Sequence, residues 1–518
     1  MKIATYHKKR GDFVELYKGK APCHKIIDAD RIYITSLFTF HYDLTLETVN
    51  HYRMFSDDEK IFFGGIAATI MSKKFRKDLG ERVNIQTGQR TSSSKMDPDD
   101  DVNIDELPLD YDILDDICYE YSMADNFFAY ATRGCGNKCK FCAVPILEPK
   151  FANTNYLKKQ ISYVRKTFGD YRNIRLMDNN VLFSDDLKKI ARDLGDLGFI
   201  RDCPTYTAPN EFKLNMGKIK RRLETGNDTH MIEKSVTEYL IKFKRRISND
   251  NTSTTMGSII NDLKESSNQI EVLEANYEWL AEVTDKYRSK LKLQRYVDFN
   301  QGIDARLLTD EKMEAIADLP LSPFRLAYDN YRITDSYNSA FKIAYKHGVR
   351  KFSNYMLYNY NERPEDLWYR LNNNVQLCKE LPESRSFSFP MKYAPIDKID
   401  RKYVGEHWNK KRLDAMNVIL NVTKGVVMIE EDFFGRAYGC SAEEFLKILT
   451  MPNEFIKYRT YFDNNGMSAA WSAEYDSLSE SQREELLMIL SKEKTKIPRF
   501  LDKILTYYKV KKNNSLEH

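Results

Sequence analysis

Two rhythms of apolar residues alternate along the first eighty positions. RIYITSLFTF (Arg31 to Phe40) is β-branched and aromatic and predicts a buried strand. LTLETVNHYRMF (Leu44 to Phe55) has helical spacing, and KIFFGGIAATIM (Lys60 to Met71) predicts a strand broken at Gly64-Gly65. This βαβ order implies a small doubly wound domain over residues 1–90. A polar and then acidic stretch, Thr87 to Asp112, marks a linker over 91–122. From 123 to 400 the units DNFFAYATRG, NIRLMDNNVLF, RYVDFNQGIDARLL, FRLAYDNY, RKFSNYMLYNY and SRSFSFPMKY each read as a strand with a polar C-terminal turn. Helical segments separate them, one starting at RPEDLW, so a partial or full parallel (β/α) barrel is expected, with chemistry at the strand carboxyl ends. Residues of about 207–292 break the rhythm with charged helical sequence, a helical insertion. Residues 401–512 read as a helical C-terminal domain, with capping boxes at Ser441-x-x-Glu444 and Ser481-x-x-Glu484. The last residues, 513–518, read as a tag-like tail.

Length supports two or three such domains. With 42% hydrophobic and 30% charged residues, composition is that of an ordinary globular chain. No apolar run reaches the length of a membrane span, so no membrane is expected as partner. MKIATYHKKRGD lacks the apolar core of a signal peptide, which with the cysteine usage points to a reducing, cytoplasmic setting. A net charge of +4 is only mildly basic.

Cysteine distribution changes the picture. Of eight cysteines, Cys135, Cys139 and Cys142 fall within TRGCGNKCKFC, while Cys23, Cys118, Cys203, Cys378 and Cys440 are scattered. In a reducing compartment such a cluster holds metal sooner than disulfides. Structural zinc takes four ligands, and here it would have to recruit Cys118 or a histidine. A reactive thiol is the other plain reading. Three thiolates suit a [4Fe–4S] cluster better, because one iron is left open for a small molecule.

On C-x3-C-x2-C, with Phe141 before its last cysteine and the motif straight after a first strand, the chain resembles the radical S-adenosylmethionine (SAM) enzymes. The resemblance implies a [4Fe–4S] cluster on Cys135, Cys139 and Cys142 that binds SAM at its open iron. It further implies reductive cleavage to a 5′-deoxyadenosyl radical, hydrogen abstraction from substrate, and a reducing partner such as flavodoxin or ferredoxin. Phe141 would position the loop against adenine. Where the family often has a glycine-rich turn after the second strand, this chain has Asp178, Asn179 and Asn180, able to hydrogen-bond ammonium and ribose groups. Arg306 stands where relatives offer polar or basic contacts to SAM, and its guanidinium could pair with the methionyl carboxylate.

The βαβ start and the Gly64-Gly65 turn resemble the Rossmann-like cobalamin-binding domains fused to radical SAM barrels, since a glycine pair lets backbone approach a large ligand. A lower-ligand motif D-x-H-x-x-G is not met, because His7 stands in TYHKKR without the aspartate or the glycine. The domain is therefore read as cobalamin-binding-like, either holding cobalamin or degenerate and serving as lid or substrate platform. Methylthiotransferases place a second cluster there, for which Cys23 and Cys118 are too few.

Substrate candidates are polar groups on the later strands: Asn354, Tyr355, Tyr358, Asn359, Tyr360, Lys392 and Tyr393, with Asp298, Asp304, Arg325 and Asp329 at strand ends. They suit a polar substrate, nucleotide-like or nucleic acid. Two basic runs, Lys218–Arg222 and Lys242–Arg246, would meet phosphates from an outer face or rim. The insertion and the C-terminal helices are expected to cover the barrel and shield the radical. Two other functions remain open: a cobalamin-dependent radical SAM methyltransferase, and a non-enzymatic, metal-stabilised nucleic-acid-binding protein.

Overall fold

The computed structural model describes residues 1–512 apart from Arg90, Cys118, Glu120, Ser122 and Ala124; the tail 513–518 lies outside the described residues. The fold is mixed α/β with several parallel sheets. The chain divides into two compact units. The first comprises Met1–Asn137, Ala143–Asn300 and Ala315–Leu321, the second Lys138–Cys142, Gln301–Glu314 and Ser322–His518.

The first unit opens with β1 (Ile32–Thr35), β2 (Ile61–Gly64) and β3 (Asn84–Ile85), parallel and adjacent in chain order. Ile61 and Phe63 turn one face of β2 inward, where Phe63 meets Phe75 edge-on and Phe75 meets Tyr42. Burying a ring such as Phe63 contributes about 2–3 kcal/mol. Both crossover helices, Tyr42–Arg53 and Ser72–Leu79, thus share one face. On the other face, helix Lys2–Lys9 sets His7 against Tyr33, which stacks on Phe62, so this parallel sheet carries helices on both sides. No reversal of strand order occurs among these three strands, so they contain no switch-point crevice for a ligand. The expected strand Lys60 to Met71 ends at Gly64, and Ile66–Ile70 is helix.

Further along, β4 (Asn126–Ala129) leads to the antiparallel pair β5 (Thr132–Arg133) and β6 (Ala152–Asn153), between which the cysteine loop departs. Next come β7 (Asn173–Leu176), the antiparallel pair β8 (Tyr206–Thr207) and β9 (Lys292–Leu293), and β10 (Val297–Phe299). Strands β4, β7 and β10 form a second parallel sheet, again in chain order.

Between β8 and β9 five helices, from Glu211–Glu224 to Tyr277–Tyr287, bury their own core around Phe212, Val236, Leu240, Met256 and Leu280. This insertion stands in the connection from helix Leu187–Asp196 into β10, so it emerges at the amino ends of the strands. Gly169, just before β7, lies against Leu214 of its first helix. The cysteine loop follows the carboxyl end of β4. Residues 207–292 thus join the sheet through a helix-to-strand connection, on the edge opposite the strand-to-helix turns, and they are packed on the unit, as the Gly169–Leu214 contact shows.

Its first basic run is not a rim. Arg221 pairs with Asp112 at 2.7 Å, Arg222 with Asp116 at 2.7 Å, and Lys218 with Asp115 at 3.0 Å, Arg222 being buried. In the second run Lys242, Arg245 and Arg246 are exposed. The acidic stretch expected as a linker is a charged seam along the unit. Asp97 and Asp100 hold Arg10, Asp105 holds Lys2, and Asp110 holds Lys8.

In the second unit β11 (Ile303–Asp304), β12 (Phe324–Ala327), β13 (Lys351–Tyr358) and β14 (Arg385–Lys392) form a parallel sheet in chain order. Helices Thr334–Lys346 and Pro364–Glu380 cover one face, where Phe341 stacks on Phe352 at 3.7 Å. Residues of the C-terminal region pack on these elements: Val427 bridges to Ser388, and Trp368 Nε1 donates to Gly439 O. At Ser441 half of the expected capping box forms: its hydroxyl accepts from Glu444 N–H, while the Glu444 carboxylate accepts from Cys440 N–H, one residue before the cap. The second one is displaced, with Ser479 and Gln482 capping helix Glu480–Leu490 and Ser481 inside it.

Lys411, buried at the start of helix Lys410–Val422, donates to Met451 O and Asn453 Oδ1. Burial pulls its ammonium down to about 7. The folded value lies below the unfolded one of 10.5, so between them the unfolded chain holds more protons and stability rises with pH. The expected slope across pH 7 to 10.5 is at most about 1.4 kcal/mol per pH unit. Lys411→Met should remove it in urea titrations at several pH values; an identical slope in both proteins would refute the assignment.

Candidate functional site

The cysteine loop is shared between the units, with Cys135 in the first and Cys139 and Cys142 in the second. All three are half-buried thiols outside any disulfide.

In the first unit the loop is tied at its stem. Asp178, at the carboxyl end of β7, accepts from the N–H and hydroxyl of Thr132 and, at 3.1 Å, from Ala131 N–H. Burial pushes this carboxyl up to about 6, against those three donors. Glu148 accepts from Gly134 N–H at 2.7 Å and Asn179 Nδ2 at 2.9 Å, and pairs with Arg133 at 2.7 Å. Gly134 has φ +74°, and a Cβ there would collide with the Lys150 carbonyl. Gly136 lies under the Phe183 ring, which a Cβ would meet at 2.5 Å. Asn137 N–H approaches Cys135 Sγ at 3.4 Å. Of the three residues expected to meet SAM, Asp178 and Asn179 are thus engaged within the protein. Asn180 is buried, and its Oδ1 has no hydrogen-bond partner.

In the second unit Cys142 N–H donates to Cys139 O at 3.1 Å. Phe141 meets Tyr360 edge-on at 5.7 Å, and Tyr360 meets Tyr393 at 4.6 Å. Asp304 grips Arg306 through two side-chain bonds, at 2.8 and 2.6 Å, and caps its backbone N–H. Half of the Arg306 side chain stays exposed. Asp304 holds its guanidinium charged, with smaller help from the Cys139 thiolate and Asp329. Asp329 itself is pushed up to about 6, first by desolvation.

The remaining strand residues separate by face. Tyr355 and Arg325 share the face of the sheet away from the helices, with Arg325 donating to Ser353 Oγ. Asn354 faces the helices, bonded to Tyr337 OH, and Tyr358, on the same side, packs on Trp408. Asn359, at φ +65°, clasps Tyr393 O, Tyr403 O and Gly405 N–H, so the chain after 400 reaches the carboxyl end of β13. Lys392 donates to Arg401 O. Asp298, in the first unit, pairs with Arg175.

At the small sheet, a Cβ on Gly65 would stand 2.7 Å from Ser36 O and Thr35 Oγ1. Ser36 also bonds Gly64 O and Ala67 N–H. The glycine pair therefore serves close approach of the chain to itself. His7 is buried, with Nδ1 on Asp12 and Nε2 on Tyr33 OH.

Among the described residues no three His, Cys, Asp or Glu side chains are grouped to hold one metal ion. A tetrahedral zinc needs such grouping, with sulfurs about 3.8 Å apart. An iron–sulfur cube seats each thiolate on a different iron and does not require it. Cys118 lies outside the described residues. No helix among the described residues is long and apolar enough to cross a membrane. No protein-family model matches the chain, and no curated protein matches it. Sequence reasoning missed Glu148, Gly134 and Gly136; a glycine on each side of Cys135 was the available signal, whereas a lone glutamate beside Pro149 carries none.

Proposed function

We propose that this protein is a radical SAM enzyme. The observation that carries the reading is the loop itself: three thiols at C-x3-C-x2-C directly after a parallel strand, on a stem fixed by the buried carboxylate of Asp178 and the partly buried one of Glu148. Cys135, Cys139 and Cys142 would hold a [4Fe–4S] cluster, and their number suits its need for three ligands and one open iron. When bound, the cluster supplies the electron that splits the SAM sulfonium. The orphan Asn180 Oδ1 suits an ammonium donor, and the exposed edge of Arg306, in the field of Cys139, suits a carboxylate. Phe141, packed on Tyr360, holds its stretch of loop. The parallel sheets β4–β7–β10 and β11–β14, each with strands in chain order, support a partial barrel.

The substrate would be polar, met by Tyr355 and Asp329, and would give up a hydrogen atom. Lys138 and Lys140, exposed on either side of Cys139, offer cationic groups to a reducing partner such as flavodoxin or ferredoxin. Cobalamin has no part in this reading, because Gly65 closes on Ser36 and both nitrogens of His7 are engaged.

Anaerobically purified and reduced protein should convert SAM to methionine and 5′-deoxyadenosine. Arg306→Ala and Asn180→Ala should each weaken binding of labelled SAM roughly ten-fold in equilibrium dialysis, the loss of one charge-assisted hydrogen bond. No 5′-deoxyadenosine from iron-loaded protein, with candidate substrates supplied, would sink the reading.

A further inference from the structure

We infer that Glu148 is a positioning residue that sets the backbone of Cys135 for metal, an inference that rests on the radical SAM reading. Glu148 follows the short helix Val144–Leu147 and turns back toward the stem of its own loop. Its carboxylate, 14% exposed, meets three donors from two directions. Gly134 N–H and Arg133 come from the chain just before Cys135, and Asn179 from the end of β7. Gly134 holds a left-handed conformation that the Lys150 carbonyl closes off to any side chain, so the peptide leading into Cys135 has one orientation. The bond to Glu148 fixes that orientation from the N–H side.

Arg133 completes the clasp. Its guanidinium lies over the Tyr130 ring at 3.9 Å and pairs with Asp105 at 3.5 Å as well as with Glu148. A side chain so confined is a pre-organised donor to the carboxylate. Asp178 holds the stem earlier, at Ala131 and Thr132, and of the two carboxylates Glu148 is the one bonded to a residue adjacent to a cysteine. Partners one step beyond the ligands govern how tightly a metal is kept.

The test compares wild type, Glu148→Ala and Glu148→Gln after anaerobic reconstitution with iron and sulfide. Iron release to a chelator is followed in each, together with hydrogen exchange of the peptide spanning Gly134. Glu148→Ala should lose iron roughly ten-fold faster and lose protection at Gly134. Glu148→Gln keeps an acceptor for Gly134 N–H, so both properties should recover to within about three-fold of wild type. A residue acting only through global stability would show no such rescue. Should Glu148→Ala fail to fold, Glu148→Ser takes its place with the same expectation. Iron release and Gly134 exchange unchanged in Glu148→Ala would overturn the inference. Wild type that takes up no iron would overturn the radical SAM reading instead, with exchange at Gly134 still deciding whether the clasp exists.

Discussion

Replacing Cys135, Cys139 and Cys142 together with alanine is expected to leave colourless protein with background iron, against about four irons per chain in the wild type. The effect should be all-or-none, because a cube with one iron kept open for a small molecule has no ligand to spare. The remaining described cysteines offer no substitute: Cys23, Cys203 and Cys440 are exposed and scattered along the chain, and burial raises the Cys378 thiol away from the thiolate. Each single replacement should already lower iron steeply. Stem contacts at Asp178 and Glu148 do not involve the thiols, so thermal unfolding of the metal-free proteins should coincide. Iron analysis and visible absorbance after anaerobic reconstitution give the readout, and full iron in the triple variant would remove the cluster assignment.

The second large effect is on stability. Arg370 is fully buried in helix Pro364–Glu380, donates at 2.6 Å to both Tyr328 O and Leu357 O, and pairs with Glu362 at 2.8 Å. It thereby joins the carboxyl ends of β12 and β13 to the helix layer. Burial pushes the Glu362 carboxyl up while Arg370 pulls it back. Arg370→Ala would strand a carboxylate and two carbonyls out of water, at a cost of about 3–5 kcal/mol. Changing both members, Arg370→Met with Glu362→Leu, should restore part of the loss, because the unpaired charge goes with its partner. Urea midpoints of the single and double variants measure this, and a wild-type midpoint for Arg370→Ala would show that the pair contributes nothing.

Strands were legible wherever an apolar run was bounded by polar turns. Each barrel segment expected after 123 contains an observed parallel strand, and RYVDFNQGIDARLL contains two, β10 and β11. Facing was harder. Asn354 and Tyr355 are neighbours with equal claims as polar strand residues, and only the helix bearing Tyr337 decides that Asn354 turns outward. Charge patterns misled for a related reason: Arg222 and Asp116 read separately as a basic run and an acidic linker, yet each neutralises the other across 106 positions of chain. In the loop the cysteines and glycines were visible, but which of Asp178, Asn179 and Asn180 remained unspent depended on donors from Ala131, Thr132 and the side-chain acceptor of Glu148. Gly64-Gly65 showed a need for close approach without showing that the approaching group was Ser36.

The β8–β9 pair has a consequence for how such a chain can change. Thr207 and Lys292 face each other across a two-residue ladder, so the path into the five helices and the path out run side by side. Eighty-odd residues hang from a single hydrogen-bonded neck, and those helices bury a core of their own. A lineage could acquire, exchange or discard such a segment without shifting the register of β7 against β10, since the neck is already closed at the strand side. The acidic seam records the cost of discarding it: Asp112, Asp115 and Asp116 would be left facing water, and they are where compensating substitutions would be expected in a shorter relative.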